Sequence, residues 1–362
     1  MAITKLNNDA IELLKRLISI PSYSKYEKET ANLIEAFFYS KNVSSVRFLE
    51  NVWAVNKSFD AAKPTILLNS HHDTVKPSKQ YTKNPFEPLI EEGKLYGLGS
   101  NDAGGCLVSL VAIFLYYYDH PNLKFNLIIA ATAEEEISGY NGLEALLSNK
   151  KFKDQIKNEP AFAIVGEPTQ MNLAIAEKGL MVLDCIAKGK AGHAAREEGI
   201  NSIYIALKDI NWFSNYQFNK ISDWLGSVKM SVTVIETENK AHNIVPSQCK
   251  YVVDVRVTDV YSHEEVYEVI RQHVRSEVVP RSMRLRSSSI DINHPIVQAG
   301  IALGKACYGS PTSSDQALMH FPSLKCGPGN SARSHTADEF IYLHEIENGI
   351  ADYIKILDAV LL

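Results

Sequence analysis

The stretch Ile66-Leu67-Leu68-Asn69-Ser70-His71-His72-Asp73-Thr74 constrains this chain most, because an apolar run stops abruptly in two histidines and an aspartate. A run this short, with Pro64 before it and polar residues after it, reads as a buried parallel strand. In open α/β sheets, ligands bind outside the carboxyl ends of the strands, where His71 and Asp73 fall. A hydrogen-bonded turn would explain one His-x-Asp equally well. What decides is whether other strands bring matching chemistry to the same edge.

They do. Residues 125–131 form a second apolar run, leading into Thr132-Ala133-Glu134-Glu135-Glu136. Residues 161–165 form a third, leading into Gly166-Glu167-Pro168-Thr169. Alone, the triple glutamate is a helix's solvated first turn. Asp102, within Gly97-Leu98-Gly99-Ser100-Asn101-Asp102-Ala103-Gly104-Gly105, is alone a helix cap. Their coincidence on one sheet edge is not explained that way. The glycines do not form a dinucleotide fingerprint, because Asp102 takes the third glycine position and would repel a pyrophosphate.

At 362 residues the chain exceeds one ordinary core, so two domains are expected. Apolar periodicity predicts helices over 9–18, 26–39 and 106–117, strands over 46–49 and 52–55, and a surface loop over 76–88. Between 173 and 288 the pattern changes. Strands over 179–187, 228–235, 250–257 and 284–289, with helices over 200–213 and 263–278, give the order strand-helix-strand-strand-helix-strand, which is ferredoxin-like. The expected architecture is an α/β domain made of residues 1–172 and 289–362, interrupted by an inserted ferredoxin-like α+β domain over 173–288. Helices over 295–308 and 343–361 return to the first domain, and 312–315 and 326–330 read as loops.

A formal charge of -5, with acids and bases mixed along the chain, gives no nucleic-acid or membrane surface. No apolar stretch reaches the ~18 to 20 residues that span a bilayer. The first eight residues lack the apolar segment of a secretory signal. Five scattered cysteines without a Cys-x-x-Cys pair fit buried thiols in a reducing compartment, so a cytoplasmic location is expected.

Gathered together, the strand-end groups are His71, Asp73, Asp102, Glu134 to Glu136 and Glu167, joined later by His335. Imidazoles and carboxylates without thiolates suit Zn²⁺, with Co²⁺ or Mn²⁺ as alternatives. So many acids would repel unless protonated or bound to cations. Two metals about 3.5 to 4 Å apart need a bridging carboxylate and terminal ligands on each side. One Asp, two His and two Glu fill those places. Asp73 and one glutamate of the triple then remain, as a ligand's orienter and a general base.

The motifs Ser70-His71-His72-Asp73-Thr74-Val75, Gly99-Ser100-Asn101-Asp102, Thr132-Ala133-Glu134-Glu135-Glu136, Gly166-Glu167-Pro168-Thr169 and Ser334-His335-Thr336 resemble the M20 metallopeptidase family. Within it, the chain resembles the acetylornithine deacetylase and succinyl-diaminopimelate desuccinylase branch, in order and over essentially its whole length. Gly192-His193-Ala194-Ala195-Arg196 and Asn243-Ile244-Val245-Pro246 are similar to the family's lid-domain motifs. Ala103-Gly104 departs from the Met-Lys that many relatives carry after the bridging Asp, and Glu134 stands where Asp is usual.

The resemblance implies an α/β catalytic domain with a mixed sheet and a lid role for the inserted domain. It also implies two divalent metals, one held by His71 and Glu167 and the other by Glu136 and His335, with Asp102 between them. Asp73 would orient His71, and Glu135 would be the general base that takes the proton of a metal-activated water. His193 would stabilise the tetrahedral oxyanion, arriving from the partner subunit's lid in a homodimer formed through the inserted domain. Arg196, Asn243, Arg256 and Arg333 are candidates to hold a substrate carboxylate, since Arg suits bidentate recognition. Arg256 could instead occupy an outward-facing strand position, and Arg333 a surface one. His72 would point away from His71 and have no role. The implied activity removes an N-acetyl or N-succinyl group from an amino acid, foremost N-acetylornithine or an N-acyl-citrulline in arginine biosynthesis. Succinyl-diaminopimelate desuccinylase, an acyl-lysine deacylase and a dipeptidase or carboxypeptidase are the alternatives, and a non-catalytic scaffold is the alternative from outside enzymology.

Overall fold

The computed structural model describes residues 3–362. It divides into two compact units. One runs up to Ile175 and resumes over Ser289–Tyr308 and Ser314–Leu362; the other comprises Ala176–Ser288 and Gly309–Ser313.

The first unit is built on a mixed sheet. Thr65–His71 lies at its centre, parallel to Asn126–Thr132 on one side and to Phe162–Val165 on the other. Ser323–Lys325 continues the parallel set beyond Phe162–Val165, and Asn51–Val55 pairs antiparallel with the far side of Asn126–Thr132. The central strands are buried along their whole length, as expected when helices cover both faces. Alternation assigns their side chains to two cores. Ile66 and Leu68 join the larger one, with Leu14 of the helix Ile3–Ile18, Phe114 of Gly105–Tyr117 and Leu357 of Leu343–Leu361. Leu67 faces the opposite way, towards Trp53, Ile128 and Phe152. The parallel strands all run the same way, so their carboxyl ends deliver loops to one edge.

The first helix starts at Ile3, earlier than the periodicity from residue 9 indicated. Leu6 extends its apolar stripe and is fully buried, whereas Asn7 and Asn8 mask the pattern when read by composition.

The second unit is a four-stranded antiparallel sheet in the order Lys229–Thr237, Gln248–Val257, Gly179–Lys188, Glu277–Pro280. Burial alternates residue by residue along Gly179–Lys188 and Gln248–Val257, so a single sheet face carries the core. There Leu183 and Val253 pack with Ala206 and Phe213 of Ser202–Asn215 and with Val266 and Ile270 of His263–His273. The strand-helix-strand-strand-helix-strand order is as expected. Its last part needs correction. The final helix stops at His273 rather than 278, and the last strand is Glu277–Pro280 rather than 284–289. A capping box at Ser262 starts that helix, and Val274 is already extended at ψ 151. The Val278-Val279-Pro280 run then favours a strand, because the residue before a proline is pushed out of the helical region. No helix among the described residues is long and apolar enough to cross a membrane.

Candidate metal centre

His71 is the last residue of its strand and is 1% exposed. Its Nδ1 lies 3.0 Å from the Asp73 carbonyl oxygen and 3.4 Å from Asp73 Oδ1. A proton donated from Nδ1 leaves the Nε2 lone pair free for a ligand. Asp73 is itself pinned, accepting from Ser24 Oγ at 2.7 Å and from the backbone N–H groups of Glu135 at 3.1 Å and Glu136 at 3.2 Å. One buried carboxylate therefore fixes both the imidazole and the turn carrying two of the glutamates.

Asp102 lies between the two histidines. Its Oδ1 is 3.5 Å from His71 Nε2 and its Oδ2 is 3.6 Å from His335 Nε2. The loop that presents it depends on Gly99, whose φ of 73 is left-handed and whose missing side chain avoids Thr74 Cγ2. A side chain at Gly104 would meet the Gly99 carbonyl and Leu14, which gives the Ala103-Gly104 departure a packing reason. Beneath the loop, the Glu339 carboxylate accepts the backbone N–H groups of Gly99, Asn101 and Asp102 at 3.1, 2.8 and 2.9 Å.

The remaining acids arrive from the neighbouring strand ends. Glu135 Oε2 and Glu167 Oε1 each lie 3.8 Å from His71 Nε2. Glu136 Oε2 is 2.9 Å from His335 Nε2. Two groupings have ligand atoms close enough to share an ion: His71 with Glu135 and Glu167, and His71 with Asp102 and Glu136. Glu134 is directed elsewhere. Its carboxylate accepts from Asn141 N and Nδ2 at 3.2 and 2.9 Å, and its own N–H donates to Glu27 at 3.0 Å. Glu134 and His335 both adopt left-handed backbone, at φ 55 and 59, a conformation that costs about 1–3 kcal/mol and persists where the surroundings enforce it.

The electrostatics are those of a site short of positive charge. Burial pushes the Glu167 carboxyl up to about 8, helped by the Asp102 charge. Burial also holds Glu135 well above the usual carboxylate range, and the charges of Glu167 and Asp315 outweigh part of the relief from His71. Burial opposes a charge on His71, yet the neighbouring Asp102 and Asp73 carboxylates raise it well above an ordinary imidazole. Loss of solvent acts on Asp102 too, but the neighbouring His71 imidazole keeps its pKa low. The bond to Glu136 lifts His335 to about 9. His71 Nε2 and Glu167 Oε1 are buried without a hydrogen-bond partner, although buried polar atoms are normally paired. Divalent cations fit this donor set: they would satisfy both atoms and neutralise the clustered acids.

His72 points away, as expected. Its ring nitrogens lie 2.9 Å from Thr30 Oγ1 and from the Glu50 carbonyl oxygen. Arg333 Nη1 and Nη2 grip the Glu345 carboxylate at 2.8 and 2.5 Å, and its guanidinium lies over the Phe340 ring. Arg256 pairs with Asp254 on its own strand at 2.8 and 3.1 Å. In the second unit, His193, Arg196 and Asn243 come together. His193 pairs with Ile244 across a short ribbon, Ala194 N donates to the Asn243 carbonyl at 2.9 Å, and Arg196 N donates to the His193 carbonyl at 2.9 Å. A cavity of about 250 Å³ opens beside His335, lined also by Lys76 and Tyr81. A larger one, about 440 Å³, lies over Phe152, Ile156 and Phe321, and none of the proposed ligands lines it.

Ser24, Glu27, Asn69, Asp315 and Glu339 were not singled out from the sequence. Asn69 carried a usable signal, since an amide inside a buried strand requires a partner. Ser24, Asp315 and Glu339 lie in stretches without periodicity, and Glu27 immediately precedes the helix Lys28–Ser40.

The family model for peptidase family M20/M25/M40 matches residues 67–359. This chain belongs to that family. It is 27% identical over 330 residues to an uncharacterised metallohydrolase from Methanocaldococcus jannaschii, covering 81% of this chain and 79% of that protein. It is 25% identical over 374 residues to a succinyl-diaminopimelate desuccinylase from Helicobacter pylori, covering 94% and 96%. Among solved structures, a dinuclear metal-binding M20 peptidase from Bacillus subtilis superposes with a TM-score of 0.74 at 16% identity, covering 99% of this chain and 98% of that one. The M20 chain described here is therefore a metal-dependent hydrolase of amide bonds.

Proposed function

We propose that this M20 hydrolase removes an N-succinyl or N-acetyl group from a small amino acid. The observation that carries the reading is Asp102, with one carboxylate oxygen towards His71 and the other towards His335. His71 and Glu167 would hold one divalent ion, Glu136 and His335 the other, and Asp102 would bridge them, with zinc the expected metal. When bound, the pair supplies Lewis-acid polarisation of the amide carbonyl and lowers the pKa of a water from about 15.7 towards ~7.

The chain's own groups do the proton work. Glu135, held above the ordinary carboxylate range by loss of solvent, would take a proton and return it to the leaving amine. Asp73 holds His71 in its ligating tautomer. His193 would donate to the oxyanion, and Arg196 and Asn243, beside it on the same ribbon, would grip the substrate's carboxylate. A homodimer through the inserted domain would bring that ribbon from the partner subunit. The edge strand Lys229–Thr237 supports this, since it exposes Val234 and Ile235 and an open apolar edge favours pairing with a second chain. The five cysteines are all free, which supports a reducing, cytoplasmic setting.

Among substrates, N-acetylornithine and N-acyl-citrulline in arginine biosynthesis are one pair. N-succinyl-diaminopimelate is the other reading, favoured by the name of the Helicobacter pylori relative. Hydrolysis rates for N-acetyl and N-succinyl derivatives of ornithine, citrulline, lysine and diaminopimelate test the proposal. A kcat/KM at least about a hundredfold higher for one of them than for dipeptides supports it. Preference for dipeptides overturns it.

A further inference from the structure

We infer that Asp315 is a positioning residue that ties the two ligand-bearing strands together beneath the metal centre. The inference rests on the two-metal reading of that centre. Asp315 is 3% exposed, and its Oδ2 accepts two hydrogen bonds at once, from Asn69 Nδ2 at 2.8 Å and from Thr132 Oγ1 at 2.8 Å. Both donors are fully buried. Asn69 stands two residues before His71 on one strand, and Thr132 ends the adjacent strand, three residues before Glu135. His71 and Thr132 are direct register partners in that parallel pair.

Strand alternation makes the placement meaningful. Asn69 and His71 are two apart and share a sheet face, whereas Ser70 turns to the Gly166 carbonyl. The Asp315 oxygen therefore lies one residue pair below the imidazole, on the same side of the sheet. One strand supplies a ligand of the first proposed metal, and the other leads to a ligand of the second. A single acceptor fixing both strands makes the two half-sites assemble as one.

Asp315 is held from behind as well. It opens the short turn Asp315–Leu318, capped by Ser314. The next residue, Gln316, is fully buried and donates to Ser323 Oγ at 3.1 Å, on the strand Ser323–Lys325. Burying a carboxylate is costly, and an apolar cluster would stabilise the same space more. For Asp315 that cost falls under the strand ends that carry the ligands. Outer groups of this kind commonly alter metal affinity by about 10–100-fold.

The test is a zinc competition titration against a chromophoric chelator, on the full-length protein, with thermal melting of each apo variant alongside. In Asp315→Ala, both zinc dissociation constants should rise about tenfold or more. Asp315→Asn keeps a side-chain oxygen able to accept both bonds and should return both constants to within about threefold of wild type. Thr132→Val cuts one link and keeps the inference testable should Asp315→Ala not fold: a rise of about threefold or more in both zinc dissociation constants supports it, and unchanged constants overturn it. Unchanged zinc affinities with a lowered melting temperature would assign Asp315 to the core alone and overturn the inference. Asp315→Asn as damaging as Asp315→Ala would overturn it too, since charge rather than hydrogen bonding would then matter. A wild-type protein that fails to bind two zinc ions would overturn the two-metal reading, a distinct outcome.

Discussion

Glu339 accepts the backbone N–H of Asp102 at 2.9 Å, and through the same oxygen that of Asn101 at 2.8 Å. The carboxylate proposed to bridge two cations is thus aimed by a second, buried carboxylate underneath its own peptide. Burial and the Asp102 charge push Glu339 up to about 8. Glu339→Gln retains one acceptor oxygen and should keep most activity. Glu339→Ala leaves three backbone donors without their partner, which costs about 1–3 kcal/mol each where they stay dry. We expect it to lower both melting temperature and zinc stoichiometry, read by metal analysis after dialysis. Two tightly held zinc ions in Glu339→Ala would show that the loop positions Asp102 without help.

Glu135 and Glu136 are adjacent yet placed differently, one 3.8 Å from His71 Nε2 and the other 2.9 Å from His335 Nε2. Glu135→Gln should reduce kcat by about 10²–10⁴-fold while KM and zinc content stay near wild type. Glu136→Gln should lose metal as well as rate. Loss of zinc from Glu135→Gln would make Glu135 a ligand, as its proximity to Glu167 and His71 also permits.

Stability of the metal-free protein should fall as pH rises from about 6.5 to 9. Glu167 and Glu339 sit near 8 in the fold against 4.5 for the free carboxyl. A raised pKa contributes stability that is full below the unfolded value and lost as pH passes through the folded one. His335, raised to about 9, acts in the same direction. Histidines lowered by burial, such as His72 at about 4, oppose this only below 6.5, where the unfolded chain takes up the proton. Zinc should flatten the profile, and adding it at pH 7 should release on the order of two protons per chain. Melting curves and weakly buffered titration check both effects. A pH-independent apo protein, or loading without acidification, would contradict them.

The sequence makes Arg333 a candidate for the substrate's carboxylate, yet its guanidinium already holds Glu345 in a two-pronged pair. Arg333→Met should lower stability by about 2 kcal/mol and leave KM within about twofold. A large rise in KM with unchanged melting would instead place Arg333 in the substrate site.

The sheet edge was legible because parallel strands announce themselves as short apolar runs, and the residue that ends such a run, His71, faces the ligand side. The inserted domain followed from the same periodicity, whereas the mixed sheet was implied by the family resemblance. The last strand of the inserted domain did not, because Val278 and Val279 suit a helix face as well as a strand until Pro280 is weighed. The supports of the site were hardest to read. Glu339 and Asp315 act through backbone N–H groups or through residues about 240 positions away, and sequence spacing holds no trace of such pairings. Glu134 illustrates the limit: within three identical side chains, only the turn geometry decides which one faces Asn141.

Diffraction from crystals of the zinc-loaded protein, with anomalous maps at the zinc edge, tests the central claim most directly. Two peaks about 3.5 to 4 Å apart are predicted, flanking Asp102, one within bonding distance of His71 and Glu167 and the other of Glu136 and His335. A single peak, or two that do not share Asp102, would contradict the account.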